Sequence, residues 1–278
     1  MKQFTVDYKE TPFLKTSQTA AYPNRLNWRC ELILTRNADS IKGKKILDLA
    51  SHDGRFSYAC LKLGARHVTG IEFREHLVES SKKNLVDMGF RQDQFDFHQG
   101  DIFEFLPKVK KGEFDTILCL GFFYHTIRQI ELLREFHRLA PQCIILDTNV
   151  KKELMEKDAT WTEIIKRALR LIPKIRPKHF LKVKATIKNT SRALQVNKSI
   201  KPCLAFKSEN HVKESATIDK LDIIAWPTKS FIEFIFRHHG YRINEIFWSE
   251  DEISDWIHIY DYRNRKRASY IAFLNNKN

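Results

Sequence analysis

KKILDLASHDGR, residues 44–55, is the stretch whose reading decides the fold. Its first half, Lys45 to Leu49, is a short apolar run of strand character. Its second half is a polar turn that ends on Gly54 and opens into the helical pattern of Phe56 to Leu63. A strand that passes through a tight turn into a helix is the first unit of an α/β sheet. The alternation continues outward: HVTGIE at 67–72, a helical stretch from His76 to Met88, QFDFHQ at 94–99, FDTILCL at 114–120, a helix from Arg128 to Leu139, and CIILD at 143–147. Strands spaced by crossovers of this length predict a doubly wound, mostly parallel Rossmann-like sheet with right-handed connections.

That core is assigned to residues 41–150, behind an N-terminal segment and helix, 1–40, in which Leu26 to Leu34 is amphipathic with Trp28, Leu32 and Ile33 as apolar markers. After Asp147 the rhythm fades, and 151–225 reads as a basic, mainly helical insertion. Order resumes in 226–278. Pro227 and Thr228 start a helix, Phe231, Phe234 and Ile235 are expected on its buried face, and Gly240 stops it. YRINEIF (241–247) and RASYIAFL (267–274) are expected to pair as closing strands around a long polar loop that holds Trp248 and Trp256.

Ligands of open α/β sheets bind beyond the carboxyl ends of the strands, so the turn after the first strand is the first candidate site. A dinucleotide cradle needs G-x-G-x-x-G, and that spacing is absent. Asp48 and Asp53 would also repel a phosphate. S-adenosylmethionine removes the objection, because it carries adenosine without phosphate and its ammonium and sulfonium groups welcome a carboxylate. Glu72, at the end of the second strand, is placed to accept from both ribose hydroxyls. Asp101, just after the third, is placed for an adenine amino group, with Ile102 covering the ring. Three acidic strand ends in succession carry this reading.

With these residues the chain resembles class I S-adenosylmethionine-dependent methyltransferases, over Trp28 to Leu146 and again from Trp226 to Phe273. The family motif is acidic-x-Gly-x-Gly-x-Gly; here Ala50 and His52 replace two glycines and Gly54 keeps the third. The resemblance implies Asp48, Ala50, Gly54, Glu72, Asp101, Ile102 and Leu120 as the cofactor-binding set. GFFYH (121–125), WPTKSFIEFIFRHHGYRINEI (226–246) and KRASYIAFL (266–274) are more narrowly similar to the branch containing the tRNA wobble-uridine carboxymethyl-transferring enzymes. That likeness places Tyr124 on an acceptor-side tyrosine and Arg267 on an arginine that recognises the extra carboxylate of a carboxylated cofactor. No upstream lysine segment matches that branch, so plain S-adenosylmethionine is the cofactor expected.

Methyl transfer demands exclusion of water, alignment of the acceptor and help for a hydroxyl losing its proton. Tyr124 and His125, after the fourth strand, are the candidate catalytic pair, with Phe123 and Arg267 on the substrate side. No metal site is expected: the five cysteines, Cys30, Cys60, Cys119, Cys143 and Cys203, are scattered without a CxxC pair and read as reduced, mostly buried apolar residues.

The 278-residue chain carries a formal charge of +14. From Ile164 to Phe206 there are 12 Lys or Arg and no Asp or Glu, so nearly the whole excess lies in the insertion. Such a segment suits an RNA acceptor, an anionic glycan or peripheral contact with a membrane surface, or it is a solvated lid. No RNA-binding module accompanies it, which favours a small-molecule or saccharide acceptor over tRNA. A noncatalytic protein that keeps a vestigial cofactor fold is the alternative from another class. Neither a secretory h-region nor a membrane-spanning run is present, and a cytoplasmic location is expected.

Overall fold

The sheet is built as the alternation requires. In a computed structural model that describes residues 2–17, 19, 21–155, 200–209 and 222–275, the strands β1 (Lys45–Leu49), β2 (His67–Glu72), β3 (Phe95–Gln99), β4 (Thr116–Leu120) and β5 (Cys143–Asn149) run parallel. Further along the chain, β10 (Tyr241–Ile246) and β11 (Arg267–Leu274) complete a seven-stranded sheet in the order β10-β11-β5-β4-β1-β2-β3. Strand β11 is antiparallel to both of its neighbours. The order reverses between β1 and β4, and the crevice at their carboxyl ends is where a ligand of such a sheet sits.

Both faces of the sheet are covered. Side chains alternate across a strand, so Leu47 and Leu49 join one core with Ile117, Cys119 and Leu132, while Ile46 joins the other with Leu118, Ile145 and Phe56. The helices α3 (Arg55–Lys62), α4 (Glu75–Asp87) and α2 (Pro23–Arg29) cover the second face, and α6 (Gln129–Leu139) and α7 (Lys229–His238) cover the first. Ahead of α2, the short turn of helix α1 (Phe13–Thr16) buries Phe13, and Tyr8 donates to the Arg55 carbonyl at 2.6 Å. This ties the N-terminal segment to the loop after β1.

Thr228 caps α7 by accepting from the Phe231 amide, and Gly240 stops it at φ +80°, as the sequence anticipates. The buried face of α7 differs from expectation. Phe234 is 57% exposed, and Ile232 and Phe236 are buried with Phe231 and Ile235. One helical turn holds 3.6 residues, so Phe231 and Ile235 share a stripe that Phe234 leaves.

The loop between β10 and β11 is likewise not the polar connection expected. Ile253, Trp256, Ile259 and Tyr262 form a third apolar cluster with Trp28 and Leu32, and Trp248 stacks on Tyr262 at 3.6 Å. Tyr262 belongs to the single turn α8 (Tyr260–Arg263). Hydropathy averaged over the loop's charges hides these four apolar residues.

Where the described residues enter the expected helical insertion, they are strands. β6 (Leu154–Met155) pairs with β7 (Ile200–Lys201), and β8 (Leu204–Ser208) pairs antiparallel with β9 (Ile223–Pro227). Of the 12 basic residues in 164–206, only Lys201 lies within the described residues; the basic insertion otherwise lies outside them. Among the described residues no helix is long and apolar enough to cross a membrane.

Because Trp256 is core, Trp256→Ala is expected to destabilise the protein by about 3–5 kcal/mol. A surface-loop residue would cost under about 0.5 kcal/mol, and denaturant unfolding distinguishes the two.

Candidate functional site

The turn after β1 is left-handed at the three glycine positions of the motif, although only one of them is still glycine. Ala50, His52 and Gly54 all lie in the left-handed region, at φ +53°, +55° and +82°. These are the three alternate positions of the motif. Left-handed backbone at a non-glycine residue costs on the order of 1–3 kcal/mol and persists only where the surroundings enforce it. The neighbours of His52 supply that enforcement. Its amide donates to Glu72 Oε2 at 3.2 Å, and its Nδ1 lies 2.8 Å from Arg55 Nη2 and 3.2 Å from Asp53 Oδ1. At Gly54 no side chain is tolerated, since a Cβ would stand 2.9 Å from that of Ser81.

Asp48 and Asp53 are both buried, yet their surroundings set them apart. Burial pushes Asp48 up to about 7, helped by the charge of Glu72 and only partly opposed by the Ser57 hydroxyl, which donates to it at 2.7 Å. Burial acts on Asp53 as well, but the Arg55 guanidinium, with Nε at 2.7 Å, outweighs it and holds the carboxyl at about 2. Thr16 also donates to Asp53, at 2.8 Å. Asp53 is therefore a structural carboxylate, and Asp48 is the loop's poorly compensated negative group.

Glu72 ends β2 with its carboxylate accepting from the Arg74 amide at 3.0 Å and from Arg74 Nη1 at 3.2 Å. Asp101 caps α5 (Ile102–Phe105), its Oδ1 accepting from the Phe103 amide at 2.7 Å. Ile102, the first residue of α5, and Leu120, the last of β4, are both buried, in different core clusters.

At the end of β4, Phe123–His125 form a 3-10 turn. Phe123, expected on the substrate side, is fully buried in the core on one face of the sheet. Tyr124 and His125 lie together, ring centroids 4.0 Å apart. Tyr124 meets the edge of Trp226 at 6.1 Å, and the Arg267 guanidinium carbon is 5.7 Å from the Tyr124 ring. His125 Nδ1 lies 2.8 Å from Glu209 Oε2, just beyond the end of β8. Lys207 Nζ sits 4.1 Å from the Trp226 ring, and the buried Trp226 Nε1 has no hydrogen-bond partner among the described residues.

Arg267 is not a solvated turn residue; it is 8% exposed. Its Nε donates to Asp147 Oδ2 at 2.9 Å and its Nη1 to Asn149 Oδ1 at 3.2 Å. The same Asp147 oxygen accepts from Arg29 Nη2 at 2.6 Å and from the Tyr262 hydroxyl at 2.9 Å, while Ser269 donates to Oδ1 at 2.9 Å. Burial alone would raise Asp147, and the two guanidiniums instead hold it at about 2.

Sequence reasoning missed Glu209, Trp226, Arg29 and Asp147 as members of this neighbourhood. Asp147 was findable, as a fourth acidic residue near the end of a core strand. Nothing in the sequence marks Glu209, because only the β8–β9 ribbon brings it to His125.

Raising Asp48 from 3.8 to about 7 means that its ionisation disfavours the fold. The penalty is absent below about pH 4, grows between pH 4 and 7, and is full above 7. Asp48→Asn is therefore expected to stabilise the ligand-free protein at pH 8 by roughly 2–4 kcal/mol and to do little at pH 4. Denaturant unfolding at the two pH values checks the sign.

The sheet has relatives in sequence and in architecture. Residues 40–207 match the family model described as a methyltransferase domain. The ribosomal RNA large subunit methyltransferase I of Pseudoalteromonas translucida is 30% identical over 79 residues, 28% of this chain and 20% of that protein. The tRNA U34 carboxymethyltransferase of Idiomarina loihiensis is 26% identical over 117 residues, 41% of this chain and 35% of that protein. The chain thus spans well under half the length of these two relatives. Among solved structures, the N-terminal domain of EvdMO1 with SAH bound superposes with a TM-score of 0.55 at 13% identity, over 92% of this chain and 82% of that one. The chain belongs to the methyltransferase-domain family and has the Rossmann-like fold of the class I S-adenosylmethionine-dependent methyltransferases.

Proposed function

We propose that the protein binds S-adenosylmethionine and methylates an oxygen nucleophile on a small-molecule or saccharide acceptor. One observation carries the reading: the crevice of a methyltransferase sheet brings a tyrosine, a carboxylate-linked histidine, a tryptophan and an arginine together at the end of β4. Aromatic walls with a buried, unpartnered indole N–H suit the mixed apolar and hydroxyl surface of a sugar ring.

The residues after β1 fit the cofactor. The left-handed backbone at 50, 52 and 54 supports this reading, and among the described residues the buried His52 Nε2 is without a partner. Asp48 would hold the ammonium group, Glu72 the ribose hydroxyls, and the second oxygen of Asp101 the adenine amino group. Ile102 and Leu120 would line the base. When bound, S-adenosylmethionine supplies a methyl group activated by its sulfonium.

The chain's own contribution is to orient and deprotonate. Tyr124 and Trp226 hold the acceptor face. Glu209 accepts from His125 Nδ1–H, which fixes the tautomer whose Nε2 takes the proton of the acceptor hydroxyl. Arg267 stands on the acceptor side beside Tyr124.

Calorimetry with S-adenosylmethionine tests the cofactor half: Glu72→Ala is expected to abolish binding, and retention of affinity would overturn it. Transfer of a labelled methyl group to a panel of neutral and acidic sugars, with bulk tRNA alongside, tests the acceptor. Label in a sugar supports the reading, and label confined to tRNA overturns it. With a labelled acceptor, His125→Ala is expected to lower turnover about 10²-fold or more.

A further inference from the structure

Trp226 and Glu209 reach the end of β4 on a two-stranded ribbon that is not part of the main sheet, since β9 pairs with β8 in a sheet of their own. The pairing extends past β8, where the Glu209 amide donates to the Asp222 carbonyl at 2.9 Å, so Trp226 and Glu209 are carried on one hydrogen-bonded unit. At the other end of β9 the Lys151 amide donates to the Pro227 carbonyl at 2.8 Å, which fastens the ribbon to the chain leaving β5. Among the described residues no backbone hydrogen bond joins β9 to the turn at 123–125.

A side chain makes that connection. Gln129, the first residue of α6, is fully buried. Its Nε2 donates to the Phe123 carbonyl at 3.1 Å and to the Ala225 carbonyl at 2.8 Å. A primary amide has two hydrogens, and these two carbonyls take both. Phe123 precedes Tyr124 and Ala225 precedes Trp226, so the bridge joins the residues next to the two aromatic walls, whose rings lie 6.1 Å apart. Gln129 Oε1 is buried and has no partner among the described residues. An unmet buried acceptor is destabilising, so the amide is held here by its donors alone. Glutamate in its ionised form offers no hydrogen, asparagine is one methylene shorter, and methionine would leave both buried carbonyls unmet.

We propose that Gln129 is a positioning residue: by bridging the Phe123 and Ala225 carbonyls, it sets Trp226 and Glu209 against Tyr124 and His125. It acts through those four residues and holds the ribbon at the site, while Lys151 holds it at the far end. Transfer to an aligned acceptor is sensitive to displacements of about 1 Å, which can lower the rate on the order of 10²-fold. The bridge stands on geometry alone; its effect on turnover rests on the function proposed above.

The test uses the full chain labelled with 5-fluorotryptophan, the Trp226 fluorine signal being assigned with Trp226→Phe. In Gln129→Met that signal is expected to shift or broaden, while those of Trp28, Trp248 and Trp256, which belong to the third apolar cluster, stay in place and report a folded protein. Calorimetry with S-adenosylhomocysteine is expected to give an unchanged affinity. With the labelled acceptor, kcat is expected to fall about 10- to 100-fold at an unchanged KM for S-adenosylmethionine, a split that general loosening of the fold would not produce. A Trp226 signal that does not move, or an unchanged kcat, overturns the proposal. If Gln129→Met does not fold, hydrogen exchange of the wild type decides: the Gln129 side-chain amide protons should exchange as slowly as the backbone amides of β4, and rapid exchange overturns the bridge. If the wild type neither binds S-adenosylhomocysteine nor transfers a methyl group, the methyltransferase reading fails, and the Trp226 signal decides the bridge by itself.

Discussion

Asp147 is the constraint around which the ends of the chain are arranged. Its carboxylate has no exposed surface, so every lone pair must be met by protein. The donors come from α2, from α8 and from two positions of β11, each more than a hundred residues from Asp147 in sequence. A single buried carboxylate thus fixes how the N-terminal helix, the closing strand and the Trp256 cluster approach the end of β5. Ion pairs of this kind contribute little net stability compared with apolar packing, but breaking one partner away is costly. Their effect here is geometric: holding Arg267 by Nε and Nη1 sets its remaining nitrogen against Gly121 and its plane near Tyr124.

Three buried aspartates show how environment divides labour among identical side chains. Asp53 and Asp147 are each gripped by arginine and titrate near 2, while Asp48, with no cation in contact, is pushed to about 7. Carboxylates held low anchor segments of chain. The one held high has no cation in contact, and burial disfavours its charge. Asp48 and Asp53 are five residues apart; Arg55 and His52 hold the second down, while burial and the charge of Glu72 raise the first.

Most of the sheet was legible because its signal is local. β1, β2, β4 and β5 are short, largely buried runs, β3 at the edge alternates buried and exposed residues, and each turn carries its own polar residues, so the five parallel strands fall where the alternation puts them. The acidic strand ends Asp48, Glu72 and Asp101 were legible for the same reason. What stayed hidden depends on contacts distant in sequence. The backbone of Ala50 and His52 could not be inferred from residues that ordinarily avoid positive φ; the pairing of Glu209 with His125 needs the β8–β9 ribbon; and the burial of Phe123 depends on a 3-10 turn that composition does not announce. The loop holding Trp256 was misread because its apolar residues are spaced among charges and become a core only against Trp28 and Leu32.

These residues also divide the crevice by charge. Asp48, Glu72 and Asp101 line the side where a cationic cofactor is proposed, whereas Arg29, Arg267 and Lys207 gather on the side of Tyr124 and Trp226. Interactions between charges strengthen in a crevice that excludes water, so such a division orients a ligand before close contact is made. It also separates two meanings of the chain's formal charge of +14. The basic run in 164–206 is a matter of how many lysines and arginines one segment carries, and it acts through the field of the whole protein. The positive end of the crevice rests on two buried guanidiniums and one carboxylate, so it persists at salt concentrations that screen the former. The guanidiniums of Arg29 and Arg267 act at contact range on Asp147, whereas the net charge of the chain acts at a distance and is screened by salt.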